Sequence, residues 1–504
     1  MSDSPASGRT LEKRPSPDRR SWARRWFRRV VLALPVVFVL LLVSLFAARA
    51  YFRAIGQRAL AAEMTRLDAE DPGWRFDDLM TAREKAAPSE DENSAVVVRR
   101  VRGLMPTEWN DWVTWQPAPA ADAEPPPFNR RQRLEDLTRD AELAAATRPA
   151  RDLGLTLRFH PRGYHVVTVE GILIKLDETI EARRVAHLMR TDAVLAAQEG
   201  DAVRGLRAAH AVLNTGRSIG DEPSLLSSIV HFACGTMAAE AAVRVLAITD
   251  PQNAAPELAA LQVALEAELD EPVLVNGLRG ERAVYDRFLG RVEDGALGAD
   301  ALARMGEMKP TSEGRVALYL RRGFIPEDHR RFLRFMSDFI AAAKGPPHER
   351  LRAAERVEAE IRADRDLRYP FHGILLPTVR KPIEASLQYR AELLSVTTLI
   401  ACERFRLKHG RWPAALAELP KDLLPTVPID PYNGEPMRFA KLDDGITVYS
   451  TGPGPNTDRN KQRRNNPLGG AELGWRLYDP NRRGLPPLPP APEPDPAADP
   501  GAAP

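Results

Sequence analysis

VVLALPVVFVLLLVSLFAA, Val30 to Ala48, is an uncharged run of nineteen residues that divides the chain into two unequal parts. At about 1.5 Å per residue, a helix of that length crosses the ~30 Å hydrocarbon layer of a bilayer. Residues 1–29 before it hold nine Lys or Arg against three Asp or Glu. Positive charge of that density stays cytoplasmic. The predicted topology is a single pass: a basic cytoplasmic tail 1–29, an anchor 30–48, and a body on the far side. In a bacterial inner membrane that side is the periplasm. Ala48-Arg49-Ala50 loosely imitates a small-x-small cleavage site, and Arg24-Arg25-Trp26-Phe27 a twin-arginine signal. The arginine inside the cleavage site and the length of the run favour an uncleaved anchor.

Beyond the anchor the chain is close to neutral, since the tail's excess of cations exceeds the net +2 of all 504 residues. Its charges are interspersed in sign, with no basic stripe, so no nucleic-acid partner is expected. The two cysteines, Cys234 and Cys402, lie far apart in apolar helical stretches. Two thiols make no disulfide framework, and buried free cysteines are expected.

Tyr51–Glu70 keeps helical letters and extends the anchor outward until Asp71-Pro72-Gly73 stops it. A short helix follows at Arg75–Lys85. Residues 103–128 are irregular and proline-rich, with Trp109, Trp112 and Trp115 expected to pack this loop onto its own domain. Residues 49–154 thus read as a juxtamembrane helix and a Pro/Trp-rich linker. Between Leu155 and Leu176 the runs LTLRF and HVVTV flank Pro161-Arg162-Gly163, and periodicity leaves open a hairpin or two helix ends. From Asp177 the pattern is helical. Val185, Leu188, Met189 and Leu195 form one stripe, Gly200-Asp201 breaks it, and Val203, Leu206, His210 and Leu213 form the next. Pro223 opens a helix that is apolar all round through Ile248, as expected of one buried on several sides. Further helices are predicted at Ala255–Leu269, Pro272–Leu289, Pro326–Ala343 and His348–Arg365. The hairpin around Gly200-Asp201 is tetratricopeptide-like, but its unit does not repeat, so residues 155–381 read as an irregular helical domain. Nine prolines among residues 481–504 mark a disordered, extended tail, whose Pro486-x-x-Pro489 spacing permits polyproline recognition, although most such tails are only spacers.

Residues 382–480 read as a small α+β module. A helix (Leu387, Leu394, Leu399, Cys402, Phe405) ends at Lys408-His409-Gly410. Gly410-Arg411-Trp412-Pro413, Leu416-x-x-Leu419 and Asp430-Pro431-Tyr432-Asn433-Gly434 follow. Strands are predicted at Pro436–Leu442 and Ile446–Thr451, joined by an Asp444-Gly445 turn, with a third at Leu473–Tyr478. This order resembles the C-terminal part of type II secretion major pseudopilins. Gly410, Trp412, Pro413, Asp430, Pro431, Tyr432, Gly434, Pro436, Tyr449, Ser450 and Gly452 carry the resemblance. It implies a long helix, an Asp-Pro loop and a short sheet, and a place in a secretion or pilus-like assembly. The module also resembles domains attached to large anchored bacterial proteins. Pseudopilins carry their apolar span in the helix preceding this module. Here that helix contains Glu384, Arg390 and Glu392, and the anchor lies far upstream, so pseudopilus polymerisation is not implied. The resemblance also implies calcium in the loop after the hairpin. That loop offers Asn456, Asp458 and Asn460 beside Lys461, Arg463 and Arg464, too few carboxylates for Ca²⁺, so a polar turn is expected.

No catalytic motif stands out: there is no Gly-x-Ser-x-Gly elbow, phosphate loop, His-Glu-x-x-His or dinucleotide fingerprint. The best metal candidate is His231-x-x-Cys234, on one helical face, with Asp192 and His210 available from neighbouring helices. A hydrogen-bonded core histidine beside a buried thiol is the commoner outcome and is expected here, with no catalytic or cofactor site. Asp192 and Glu240 are expected to pair with arginines of adjacent helices, and Arg279-Gly280-Glu281-Arg282 to form a solvated face or interhelical salt bridges. The chain thus reads as a mainly α, membrane-anchored structural or interaction protein with a protein partner. An accessory secretion component comes second, and an envelope hydrolase with scattered residues third.

Overall fold

A computed structural model describes residues 19–109, 128–131, 145–170, 173–297, 322–364, 366, 369, 372–373, 376, 379–453 and 473–486. Trp112, Trp115 and the 454–472 loop fall outside them; Trp109 is buried in the core.

The apolar run and the first body helix are one element, α1 (Arg19–Glu70), long and apolar enough over that run to cross a membrane. Pro35 lies inside the helix, a residue that membrane-spanning helices tolerate. Leu60 and Leu67, farther along, are buried against the body. The short helices α2 (Phe76–Lys85), α3 (Ser94–Gly103) and α4 (Arg148–Gly154) follow. LTLRF, one of the two ambiguous runs, forms a 3₁₀ turn (Leu155–Phe159). The second contributes only its last residue to a two-stranded ladder of β1 (Val169–Glu170) and β2 (Leu173–Ile174). The Pro161–Gly163 segment does not pair the two runs; Gly163 passes so close to the Ser218 backbone that a Cβ would overlap it.

The helical body is α5 (Asp177–Glu199), α6 (Ala202–Arg217), α7 (Leu225–Ile248), α8 (Ala255–Leu269), α9 (Val273–Glu293), α10 (Ile325–Lys344) and α11 (Pro347–Ala363). Gly200 caps α5 in the left-handed region, and the Asp201 carboxylate accepts the Arg204 N–H at 2.9 Å to start α6. Ser224 caps α7 through the Leu226 N–H. Helix α7, which has no polar stripe to show to water, packs against α5, α6, α9 and the long helix α12 (Arg380–His409). Its composition alone would suit a membrane, yet 61% of its most apolar window is buried inside the protein.

Helix α12 ends at Gly410 (φ 73°) and supports a three-stranded antiparallel sheet, β3 (Arg438–Leu442), β4 (Gly445–Ser450) and β5 (Leu473–Tyr478). The Ser395 hydroxyl of α12 donates to Val448 O at 2.6 Å and accepts from Trp475 N–H at 2.9 Å, tying the helix to β4 and β5. The hairpin loop is Asp443-Asp444, one residue earlier than expected, because Gly445 already pairs with both Leu442 and Tyr478. Gly445 is needed for close approach: a Cβ there would overlap Leu477 O on β5. One cluster of buried side chains runs from Leu60 to Leu477, through the body and the module alike.

The tail begins later than its proline content suggests. Arg483 is buried and donates to both Glu403 oxygens at 2.9 and 2.8 Å, so residues up to Pro486 belong to the folded body.

Candidate functional site

Four helices converge on Glu268, at the end of α8. It follows Leu258, Leu261 and Leu265 on the buried stripe, so helical spacing drives its carboxylate inward. Arg217, the last residue of α6, donates to Glu268 Oε2 at 2.7 Å. His231 Nε2 of α7 lies 2.6 Å from Oε1, and the Tyr389 hydroxyl of α12 donates to the same oxygen at 3.1 Å. Burial alone would raise the Glu268 carboxyl; His231 and the Arg217 guanidinium outweigh it and hold it at about 2. Tyr389 is pushed well above its ordinary range by burial and by the Glu268 charge, so it stays a neutral donor. The ring reaches this acid because residue 235 is glycine: a Cβ there would overlap the tyrosine hydroxyl.

A cavity of about 320 Å³ opens beside this cluster. Arg217 and His231 form part of its wall, with Arg83, Arg162, Asp221 and Glu271. Arg83 stacks its guanidinium over Tyr164, 5.3 Å from the ring centroid, and its Nε and Nη2 are buried without hydrogen-bond partners. The wall mixes both signs of charge around one histidine, whose Nδ1 is also buried without a partner.

The residues singled out from sequence separate into different networks. Cys234 is a free buried thiol pushed up to about 12 by burial, which keeps it protonated and unreactive. Cys402 is likewise free and buried. Asp192 is neutralised by Arg151 at 2.7 Å and Arg204 at 2.9 Å, and Glu240 by Arg190 at 2.6 Å, the interhelical pairs expected of them. His210 is half-buried and held near 4, first by burial and then by Arg217 and Arg158. Among the described residues, no three His, Cys, Asp or Glu side chains gather as a metal site. Asp458 lies outside those residues. Arg279 and Arg282 both bind Asp71 at the end of α1, and Arg282 is almost fully buried, so that stretch is an interhelical anchor rather than a solvated face.

Glu268, Arg217 and Tyr389 were missed from sequence. A signal existed for two of them, since Glu268 falls three residues after Leu265 and Arg217 four after Leu213, both on apolar stripes. Nothing in the Tyr389 neighbourhood distinguishes it, because its helix mixes charged and apolar residues and is buried along most of its length.

Comparison with known proteins finds no match: no family model, curated protein or solved structure matches the chain.

Proposed function

We propose that this chain is a membrane-mounted scaffold whose helical body stands outside the cytoplasm and docks a protein partner. The observation behind this reading is α1 itself. The apolar run and the first body helix are continuous, and Leu60 and Leu67 lock the far end into the core. A body carried this way is held at a fixed height, where a flexible tether would leave it free. The buried chemistry favours the same reading. Glu268 is held as a paired carboxylate and Cys234 as a protonated thiol, while Asp192 sits in a separate arginine network.

A second reading, an accessory component of a type II secretion or pilus-like assembly, draws on the module. The residues carrying the pseudopilin resemblance are tied together: Asp430 accepts from Tyr432 N–H at 2.9 Å, Ser450 Oγ at 2.7 Å and Thr451 N–H at 2.8 Å. Trp412 donates to Asp479 at 2.6 Å.

Crosslinking in cells, followed by detergent extraction and mass spectrometry, tests both. Envelope proteins unrelated to secretion are expected on the first reading, and secretion or pilus components would move the assignment to the second. Recovery of the protein alone would sink both. Protease added to spheroplasts should digest the body and spare residues 1–29; a protected body would reverse the orientation.

A further inference from the structure

We propose that the body touches the membrane a second time, through the edge formed by residues 294–297 and 322–325, which rests on phospholipid headgroups. This rests on the reading of Val30–Ala48 as the membrane span. If the hydrocarbon layer ends near Ala48, the headgroup layer, roughly 5–7 Å deep, takes in about the next four residues of helix. These are Arg49 to Phe52, and the body already meets α1 there.

Gly323 lies against Arg49 so closely that a Cβ would sit 2.8 Å from Arg49 Cγ and 3.1 Å from its carbonyl oxygen. The Phe52 and Phe324 rings are 5.2 Å apart, centroid to centroid. Farther up, a Cβ on Gly56 would lie 3.0 Å from the Glu327 nitrogen, and the Glu63 charge acts on Arg330. Helix α10 therefore rises alongside α1, with its first residues at the foot. The chain after α9 comes down to the same level: Arg322 Nη2 donates to Leu297 O at 3.4 Å, and a Cβ on Gly295 would lie 3.1 Å from Arg322 Nη1.

The chemistry at this level suits headgroups. Tyr51 is 63% exposed, and amphipathic rings favour the interface. Arg49, Arg53 and Arg58 follow the apolar run, and α1 carries no Asp or Glu from Val30 to Ala62. Guanidinium groups pair well with phosphate oxygens. Among the described residues, the acids at the opposing edge are Asp294, which is exposed, and Glu293 beside it, which accepts from His329 Nδ1 at 2.8 Å within the fold. With contacts on α1 and on this edge, the bilayer surface would fix the tilt of the body as well as its height.

The test uses the full chain in vesicles of phosphatidylethanolamine and phosphatidylglycerol doped with a nickel-chelating headgroup lipid. Nitroxide labels are placed one at a time at Ala296→Cys, on the edge, at Val263→Cys, exposed on α8, and at Leu40→Cys, mid-span. Cys234 and Cys402 are buried and should not label. The Ala296→Cys label should relax several-fold more through the headgroup nickel than the Val263→Cys label, while the Leu40→Cys label is accessible to oxygen and shielded from aqueous chelates. Equal relaxation at Ala296→Cys and Val263→Cys, with Leu40→Cys still in hydrocarbon, overturns the second contact and leaves the anchor standing. A Leu40→Cys label open to aqueous chelates overturns the span, and the second contact with it.

Discussion

The helical body and the C-terminal module bury acids in different company. In the body, beside arginine pairs such as those of Asp192 and Glu240, several buried or half-buried acids meet a histidine. Glu268 contacts His231, Asp286 and Glu293 clamp His329, Asp328 accepts from His372, and Glu222 lies 3.6 Å from His165. In the module the acids meet groups that keep their state near neutral pH. Glu403 is held by Arg483 and Arg406, and Asp430 by backbone N–H groups and hydroxyls. Arginine does not lose its charge in a protein, whereas histidine titrates near neutrality. The module's polar joints are therefore permanent, while the body adds to its own arginine pairs a joint at His329 that answers to pH.

The largest expected effect breaks the permanent side. Arg483→Ala removes the bidentate partner of a fully buried carboxylate, a loss of about 3–5 kcal/mol for a broken buried pair. Denaturant unfolding should show it, and the loss should hardly change between neutral and mildly alkaline buffer. A small loss would mean that Arg406 alone satisfies Glu403.

The next sharpens the titratable side. Burial alone would lower His329, but Asp286 and Glu293 outweigh it and raise it from 6.5 to about 9. Its folded value lies above its unfolded one, so its contribution is complete below pH 6.5 and is lost as pH rises through about 9. On the order of 3–4 kcal/mol is at stake, for a rise from 6.5 to about 9 at about 1.4 kcal/mol per pKa unit. Hydrogen exchange should quicken at the α9–α10 contact before the module's sheet responds, and His329→Gln should flatten the alkaline slope. On the acid side, His187 and His210 are held near 4, first by burial, so stability falls as pH drops from 6.5 towards 4. The body should be most stable near pH 6.5; an unchanged melting temperature from pH 6 to 9.5 would remove the contrast.

Gly235→Ala tests the packing that brings Tyr389 to Glu268. The new methyl collides with the hydroxyl, and overpacking of this kind costs about 1–3 kcal/mol. Tyr389→Phe in the same background should recover little of it, because the ring carbons Cε2 and Cζ would still lie 2.4 and 2.5 Å from the new methyl. The smallest effect is expected at Glu418, which is held near 2 by its bond to Arg411 but lies partly exposed at the surface, beside an exposed Arg411. Solvent screens such a pair, so Glu418→Gln should leave the melting temperature unchanged.

Much of the secondary structure was legible because the physics behind it is local. The left-handed cap at Gly200, the Asp201 start of α6, the stop at Gly410 and the span of β5 need only neighbouring residues. The errors came where a distant element decides. Gly445 reads as a turn glycine until β5 passes against it. Arg483 reads as tail until Glu403 pulls it into the core. The site was the least legible part. His231 and Cys234 share a face of α7, but the partner that gives His231 its setting comes from α8.

By itself the sequence determined an apolar run long enough to cross a membrane, the helical course of the body and the α+β character of its end. Periodicity, caps and run length operate within a few turns of chain, so one dimension suffices for them. Which acids meet which bases, and where the body lies along α1, were decided only in the tertiary structure. Those outcomes depend on the distance between residues remote in sequence, and that distance is set by packing.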